Sequence, residues 1–262
     1  MQYPLFARFA PIIQSLSSSE LQGSGTLYDK LLLERAEKLS VHYVPFEHLN
    51  PGARLVIVGI TPGKTQLVNA IAELRRQLDA GSSQDVALRA AKATGAFSGA
   101  MRPNLISLLN RIGMQRMLGI GSCADLFGSA SHLLHSTSAL RNPVFVDGAN
   151  YSGNPKMTRH PLLKKQLLAT FGEEAKLLPS AVFVPLGDAV DEALQFLAAA
   201  GVIKREQILS GLPHPSGANA ERIMYFVGGK AREKLSSKTN ADKIERTRDM
   251  LCARVTTMSL AV

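Results

Sequence analysis

Residues 53–66 read ARLVIVGITPGKTQ, and the fold turns on the first half of that stretch. ARLVIVG is almost wholly apolar and ends in glycine. A strand with one wet face alternates apolar and polar residues. An unbroken apolar run closed by a turn signal reads instead as a strand buried on both faces, as in a parallel sheet. SAVFVPLG at 180–187 has the same form. HLLHSTSALRNPVFVDG at 132–148 is a further strand region, broken at Pro143, and QILSGLPHP at 207–215 is a short strand running into a turn. Between them lie stretches with helical spacing: LVNAIAELRRQLDAG, QDVALRAAKATG, NLISLLNRIG, HPLLKKQLLATFG, DAVDEALQFLAAAG and ANAERIMYFVGG. The alternation predicts an α/β fold, a three-layer sandwich with a central four-stranded parallel sheet and helices on both faces. Residues 1–50 are expected to form an N-terminal helical extension, with LYDKLLLERAEKL at 27–39 its clearest helix. Residues 51–230 form the α/β domain, and 231–262 a basic helical tail packed on it. Ligands of such sheets sit beyond the C-terminal strand ends, so the loops there are expected to converge on one crevice.

The second half of the opening stretch looks at first like an ATP-phosphate loop. That motif needs four residues between its glycines, followed by Gly-Lys-Ser/Thr. Here three residues, Ile60, Thr61 and Pro62, separate Gly59 from Gly63. Pro62 also removes an N–H from a loop whose task would be to point N–H groups at phosphate. A nucleotide-hydrolysing loop is therefore the weakest of the readings kept.

Composition narrows the partners. The 262 residues carry a formal charge of +9, and a protein this basic commonly meets a polyanion, nucleic acid first. Its two cysteines, Cys123 and Cys252, lie far apart and outside any C-x-x-C pair, which argues against a thiolate metal cluster or a disulfide framework and fits a reduced cytoplasm. No apolar run approaches a membrane span, and MQYPLFARFAPIIQ lacks the pattern of a signal peptide.

Four segments point further. GITPG at 59–63 and HPSGAN at 214–219 each follow a strand and are rich in Pro, Gly and small polar residues. GAFSGAMRPNLISLLNRIG at 95–113 and FVPLGDAV at 183–190 lie between them. In this order the four resemble the uracil-DNA glycosylase superfamily, whose members carry a G-x-x-P-G or G-x-D-P-Y loop, a Phe-x-Gly before a helix ending in Ile-Gly, a strand ending in Leu-Gly, and an H-P-S loop.

The resemblance implies a monofunctional DNA glycosylase without metal or cofactor. Such an enzyme extrudes a base, grips it, stabilises its leaving charge and supplies water, leaving an abasic site. On that resemblance His214 stabilises the departing base, Thr61 sits at the water position, and Asp147 substitutes as the water-activating group. Ile60, Phe97, Ser138 and Asn142 line the base, with Phe97 as the stacking platform. Pro62, Gly63, Lys64, Ser216, Gly217 and Asn219 approach the DNA backbone. The partner is DNA, double- or single-stranded with a flipped modified base, and the protein is expected to be a cytoplasmic monomer. HPLLKKQLLATFG and the cationic tail fit a phosphate track.

Two departures bear on the chemistry. Thr61 stands where many relatives hold Asp or Asn, and a hydroxyl is no general base at neutral pH. Ser138 stands where the family usually has the asparagine that reads the pyrimidine edge, with Asn142 the other choice. The expected substrates are therefore uracil or a deaminated purine in damaged DNA, or a bulkier modified pyrimidine such as a hypermodified cytosine of phage DNA, which would make the protein a defence enzyme. A DNA-binding module of the same fold without catalysis is the alternative.

Overall fold

The computed structural model describes residues 3–95 and 101–260. Its strands are β1 (Leu32–Ala36), β2 (Leu39–His42), β3 (Leu55–Gly59), β4 (Leu134–Ser138), β5 (Val144–Val146), β6 (Ala149–Asn150) and β7 (Val182–Pro185). They form two sheets: an antiparallel one of order β1-β2-β5-β6, and a three-stranded one of order β4-β3-β7 in which β3 and β7 run parallel. The chain gathers into two compact units, residues 3–49, 59–95 and 137–176 in the first, 50–58, 101–136 and 177–260 in the second.

The α/β class holds, but the central four-stranded parallel sheet does not. ARLVIVG and SAVFVPLG do supply buried parallel strands, Leu55 pairing with Val182 and Val58 with Pro185. The expected fourth strand, QILSGLPHP, is reduced to a single bridge between Phe183 and Ile208. Pro213 and Pro215 have no N–H to donate, and Gly211 turns the backbone to φ +114°, so the ladder cannot continue.

The other correction lies in the first unit. LYDKLLLERAEKL is not one helix. The helix Gly25–Lys30 stops before β1, and β1 turns into β2 as a hairpin whose two-residue link includes Glu37 at φ +51°. Its leucines satisfy either period, and pairing decides: β2 lies against β5, Leu39 opposite Val146 and Val41 opposite Val144. The N-terminal 50 residues are thus half of a sheet as well as a set of helices. HLLHSTSALRNPVFVDG does break at Pro143, and its two strands, β4 and β5, enter different sheets.

Helix Lys64–Asp79 presents Leu67, Ala70, Ile71 and Leu74 at i, i+3, i+4 and i+7, all fully buried. Leu67, Ile71 and Leu74 pack with Phe9, Ile13, Leu27 and Tyr43, Ala70 packs with Val44 and Phe46, and the rings of Phe9 and Tyr43 stack with centroids 4.4 Å apart. Beside this apolar core the first unit holds a charged cluster. Glu174 lies 3.8 Å from Lys92 Nζ and 3.8 Å from Arg141 Nη1. Lys92 also donates to the His48 carbonyl at 2.7 Å. Burial pushes the Lys92 ammonium down to about 8, against the pull of Glu174. Burial likewise raises the Glu47 carboxyl, which Arg141, the Tyr43 hydroxyl and the Phe6 N–H pull back.

In the second unit, helix Ala220–Val227 buries Ile223, Tyr225 and Phe226, and helix Ala241–Leu260 buries Leu251 and Val255. Arg254 donates to the carbonyls of Ile208 and Glu206, both at 2.9 Å, fixing the long helix at the end of the bridging segment.

Candidate functional site

In the first unit the loop after β3 is fastened to the segment after β4. Ala139 N–H bonds the Gly59 carbonyl at 2.9 Å and Leu140 N–H that of Ile60 at 3.0 Å. The Thr61 hydroxyl donates to the Asn142 carbonyl at 3.1 Å and accepts from the Val144 N–H at 3.1 Å. Its one proton is therefore spent on holding the backbone at 142–144. Pro62 is buried, the Gly63 N–H bonds Gln66 Oε1 at 2.8 Å, and the Lys64 N–H bonds Asn150 Oδ1 at 3.1 Å. Neither amide is open to a phosphate, which removes the remaining support for an ATP loop. The exposed Lys64 ammonium stands over the rings of Tyr28 and Phe145, 5.7 and 5.8 Å from their centroids.

The segment held by Thr61 is unusual. Among the described residues five buried side-chain polar atoms have no hydrogen-bond partner, and three fall within 137–142: Thr137 Oγ1, Arg141 Nε and Asn142 Oδ1. Buried polar atoms are nearly always paired, so such a concentration marks a place where a ligand or water completes the bonding. Asn142 is 3% exposed, whereas Ser138 is half-buried. Asp147 is placed differently. It sits at φ +48° in the two-residue turn between β5 and β6, its carboxylate 62% exposed and 3.5 Å from Lys38 Nζ. That is the setting of a turn residue. Phe97 lies outside the described residues.

Replacing Thr61 with valine keeps the shape and removes both hydrogen bonds. The expected cost is about 1–2 kcal/mol, read as a lowered urea midpoint, because the Asn142 carbonyl and Val144 N–H are left without their partner.

In the second unit the HPSGAN loop is set by its own backbone. The Ser216 N–H donates to His214 Nδ1 at 3.2 Å. With Nδ1 as acceptor, the neutral ring carries its proton on Nε2 and presents that as a donor. Burial lowers the His214 pKa from its ordinary 6.5, which favours the neutral ring. Asn104, from helix Met101–Arg111, donates to the Pro215 carbonyl at 2.9 Å and steadies the loop. Gly187, at φ +99° just after β7, lies beside the ring: a Cβ there would be in ordinary contact with His214 Cδ2 at 3.6 Å, and it is the backbone angle that favours glycine. Asn219 closes the turn Gly217–Asn219 by donating its N–H to the Ser216 carbonyl at 3.0 Å, and accepts from Arg222 at 3.2 Å.

His214 and Asn219 line a cavity of about 700 Å³, with Asp191 and Ser210 on its wall and Lys243 and Thr247 from the long C-terminal helix. The Asp191 carboxylate is taken up by the Ser210 hydroxyl at 2.5 Å and by Gln195 at 3.2 Å. The expected site residues therefore divide: Ile60, Thr61, Pro62, Gly63, Lys64, Ser138, Asn142 and Asp147 belong to the first unit, His214, Ser216, Gly217 and Asn219 to the second. Reading the sequence missed Asn104 and Gly187 as parts of this loop's frame, and named the cationic tail without singling out Lys238 and Lys243 on the cavity wall. Gly187 carried a signal as the end of the Leu-Gly strand, and the lysines one in the charge of the tail.

Among the described residues no group of three His, Cys, Asp or Glu is placed to hold a metal ion, and no helix is long and apolar enough to cross a membrane. No family model matches the chain, and no solved structure does. The chain is 36% identical over 221 residues to the uncharacterized protein YoxB of Bacillus subtilis strain 168, an alignment covering 83% of this chain and 86% of that protein. At that identity over that span, the chain belongs to the YoxB family.

Proposed function

We propose that the protein is a monofunctional DNA glycosylase, hydrolysing the N-glycosidic bond of a flipped, damaged or modified base. The observation that carries the reading is His214: half-buried, its Nδ1 accepting from the Ser216 N–H, and set beside a cavity by a loop whose sequence resembles the H-P-S loop of the uracil-DNA glycosylase superfamily. As the bond from C1′ to the base breaks, its electron pair moves onto the base. A donor at Nε2 stabilises that charge without giving up its proton. Water adds to the cationic sugar at C1′ and loses a proton to solvent, leaving an abasic site and a free base.

A non-catalytic DNA-binding module is the second reading, favoured by the spent proton of Thr61 and the exposed position of Asp147. A panel of oligonucleotides separates the two: uracil, hypoxanthine, 5-hydroxymethylcytosine, its glucosylated form, and unmodified DNA, each probed for alkali-labile sites. The glycosylase reading expects cleavage at one class of modified base. Binding without any alkali-labile site supports the module.

A further inference from the structure

The cationic C-terminal segment is not uniformly available. Lys230 is paired with Glu221 at 2.7 Å, Arg232 is shared between Asp242 and Glu245, Arg248 lies 3.3 Å from Asp249, and Arg254 is spent on two carbonyls. Lys238 and Lys243 are on the wall of the His214 cavity and enter no ion pair among the described residues. Arg222 joins them there, oriented by Asn219. Against these three positive charges stand Asp188 and Asp191, and Asp191 is already engaged by Ser210 and Gln195.

The placement is built. The Glu221 carboxylate accepts from Lys230, from Ser236 Oγ at 2.6 Å and from Thr239 Oγ1 at 2.5 Å, so the segment that carries Lys238 is tied down on both sides of it. Tyr225 bonds Glu245, clasping the long helix to helix Ala220–Val227. At Gly211, with φ +114°, a Cβ would stand 2.5 Å from Thr247 Cγ2, so glycine lets the helix lie this close to the segment that leads into His214. Two unpaired lysines are thereby held on a polar cavity roomy enough for a nucleotide, where the three cations Arg222, Lys238 and Lys243 face the two carboxylates Asp188 and Asp191.

We propose that the His214 cavity binds a phosphodiester of a nucleic-acid strand, with Lys238, Lys243 and Arg222 as its counter-charges. The C-terminal segment is then part of the binding site. The inference rests on the reading of the protein as a DNA enzyme, and binding is measured separately from base excision so that each can fail alone.

The experiment titrates the full chain with a single-stranded oligonucleotide across a salt series, and separately with inorganic phosphate. It compares wild type, the double variant Lys238→Gln/Lys243→Gln, and Lys234→Gln, an exposed lysine off the cavity wall. Loss of two phosphate contacts lowers the slope of log affinity against log salt by about 1.4 and weakens binding near physiological salt by about 10-fold, with Lys234→Gln unchanged. That result supports the site, whether or not any base is excised. An unchanged slope in the double variant overturns the site while leaving the glycosylase reading standing. Wild type that binds inorganic phosphate but no oligonucleotide overturns the strand assignment. Wild type that binds neither overturns the site, and the excision assay then decides the glycosylase reading alone.

Discussion

On the proposed glycosylase reading, alanine at position 214 is expected to lower the rate of base excision by about 10²–10³, the loss found when one donor to a developing anion is removed. The effect falls on the chemical step. His214 is held by the Ser216 N–H at Nδ1 and by Asn104 through the Pro215 carbonyl, which leaves the proton of the neutral ring on Nε2. Alanine removes the donor and also the Nδ1 acceptor of the Ser216 N–H, while the bond from Asn104 to the Pro215 carbonyl stays. DNA affinity should change far less than the single-turnover rate. A variant in which both fall together in proportion would mean that His214 is a binding contact and not a transition-state one.

The same geometry sets a pH dependence. Burial lowers the folded-state pKa of His214 below 6.5, so the folded chain binds fewer protons at this site than the unfolded chain does. The contribution is present above 6.5 and is lost as pH falls through the lower folded value. Protonation also destroys the acceptor that Ser216 uses, and so unsettles the loop. The excision rate should be flat above neutrality and fall on the acid side with a midpoint below 6.5. A midpoint at or above the ordinary histidine value would contradict the assigned tautomer.

Removing the Glu174 carboxylate should destabilise the protein by about 3–5 kcal/mol, the range for breaking a buried ion pair by deleting one partner. Glu174 is 5% exposed and faces both Lys92 and Arg141 at 3.8 Å. With Glu174→Ala two cations remain with Glu47 as the nearest compensating charge, and Arg141 Nε already has no partner. Urea unfolding reads the loss directly. The double variant Glu174→Leu/Lys92→Met should recover part of it, because taking out both charges avoids a stranded ion. A loss under about 1 kcal/mol in the single variant would show that the cluster is hydrated and the pair contributes as a surface one does.

What the sequence made visible, and what it hid, follows from the range of the forces involved. The strand character of ARLVIVG and SAVFVPLG was legible because both faces of β3 and β7 are covered, and that demands apolar residues without alternation. LYDKLLLERAEKL misled because three consecutive leucines fit a helix and a strand equally, and the partner that decides, β5, lies far along the chain. QILSGLPHP misled in the other direction, since two prolines and a left-handed glycine limit it to one bridge. In the site, HPSGAN was visible through its turn-forming composition. Asn104 was not, because its bond to Pro215 spans 111 residues. The ionic cluster drew Glu47, Lys92, Arg141 and Glu174 from four separate segments, and each looked alone like a solvated charge. Thr61 was read for its chemistry, whereas the structure gives its hydroxyl to the backbone at 142–144.

Hydrolysis of a glycosidic bond leaves two products that no binding protein can make. The decisive measurement is mass spectrometry of the reaction mixture in heavy-oxygen water, with each modified oligonucleotide as substrate. A glycosylase releases the intact free base and places one solvent oxygen on C1′ of the remaining deoxyribose. DNA that is bound by the protein and recovered unchanged, with no free base from any substrate of the panel, would contradict the assignment.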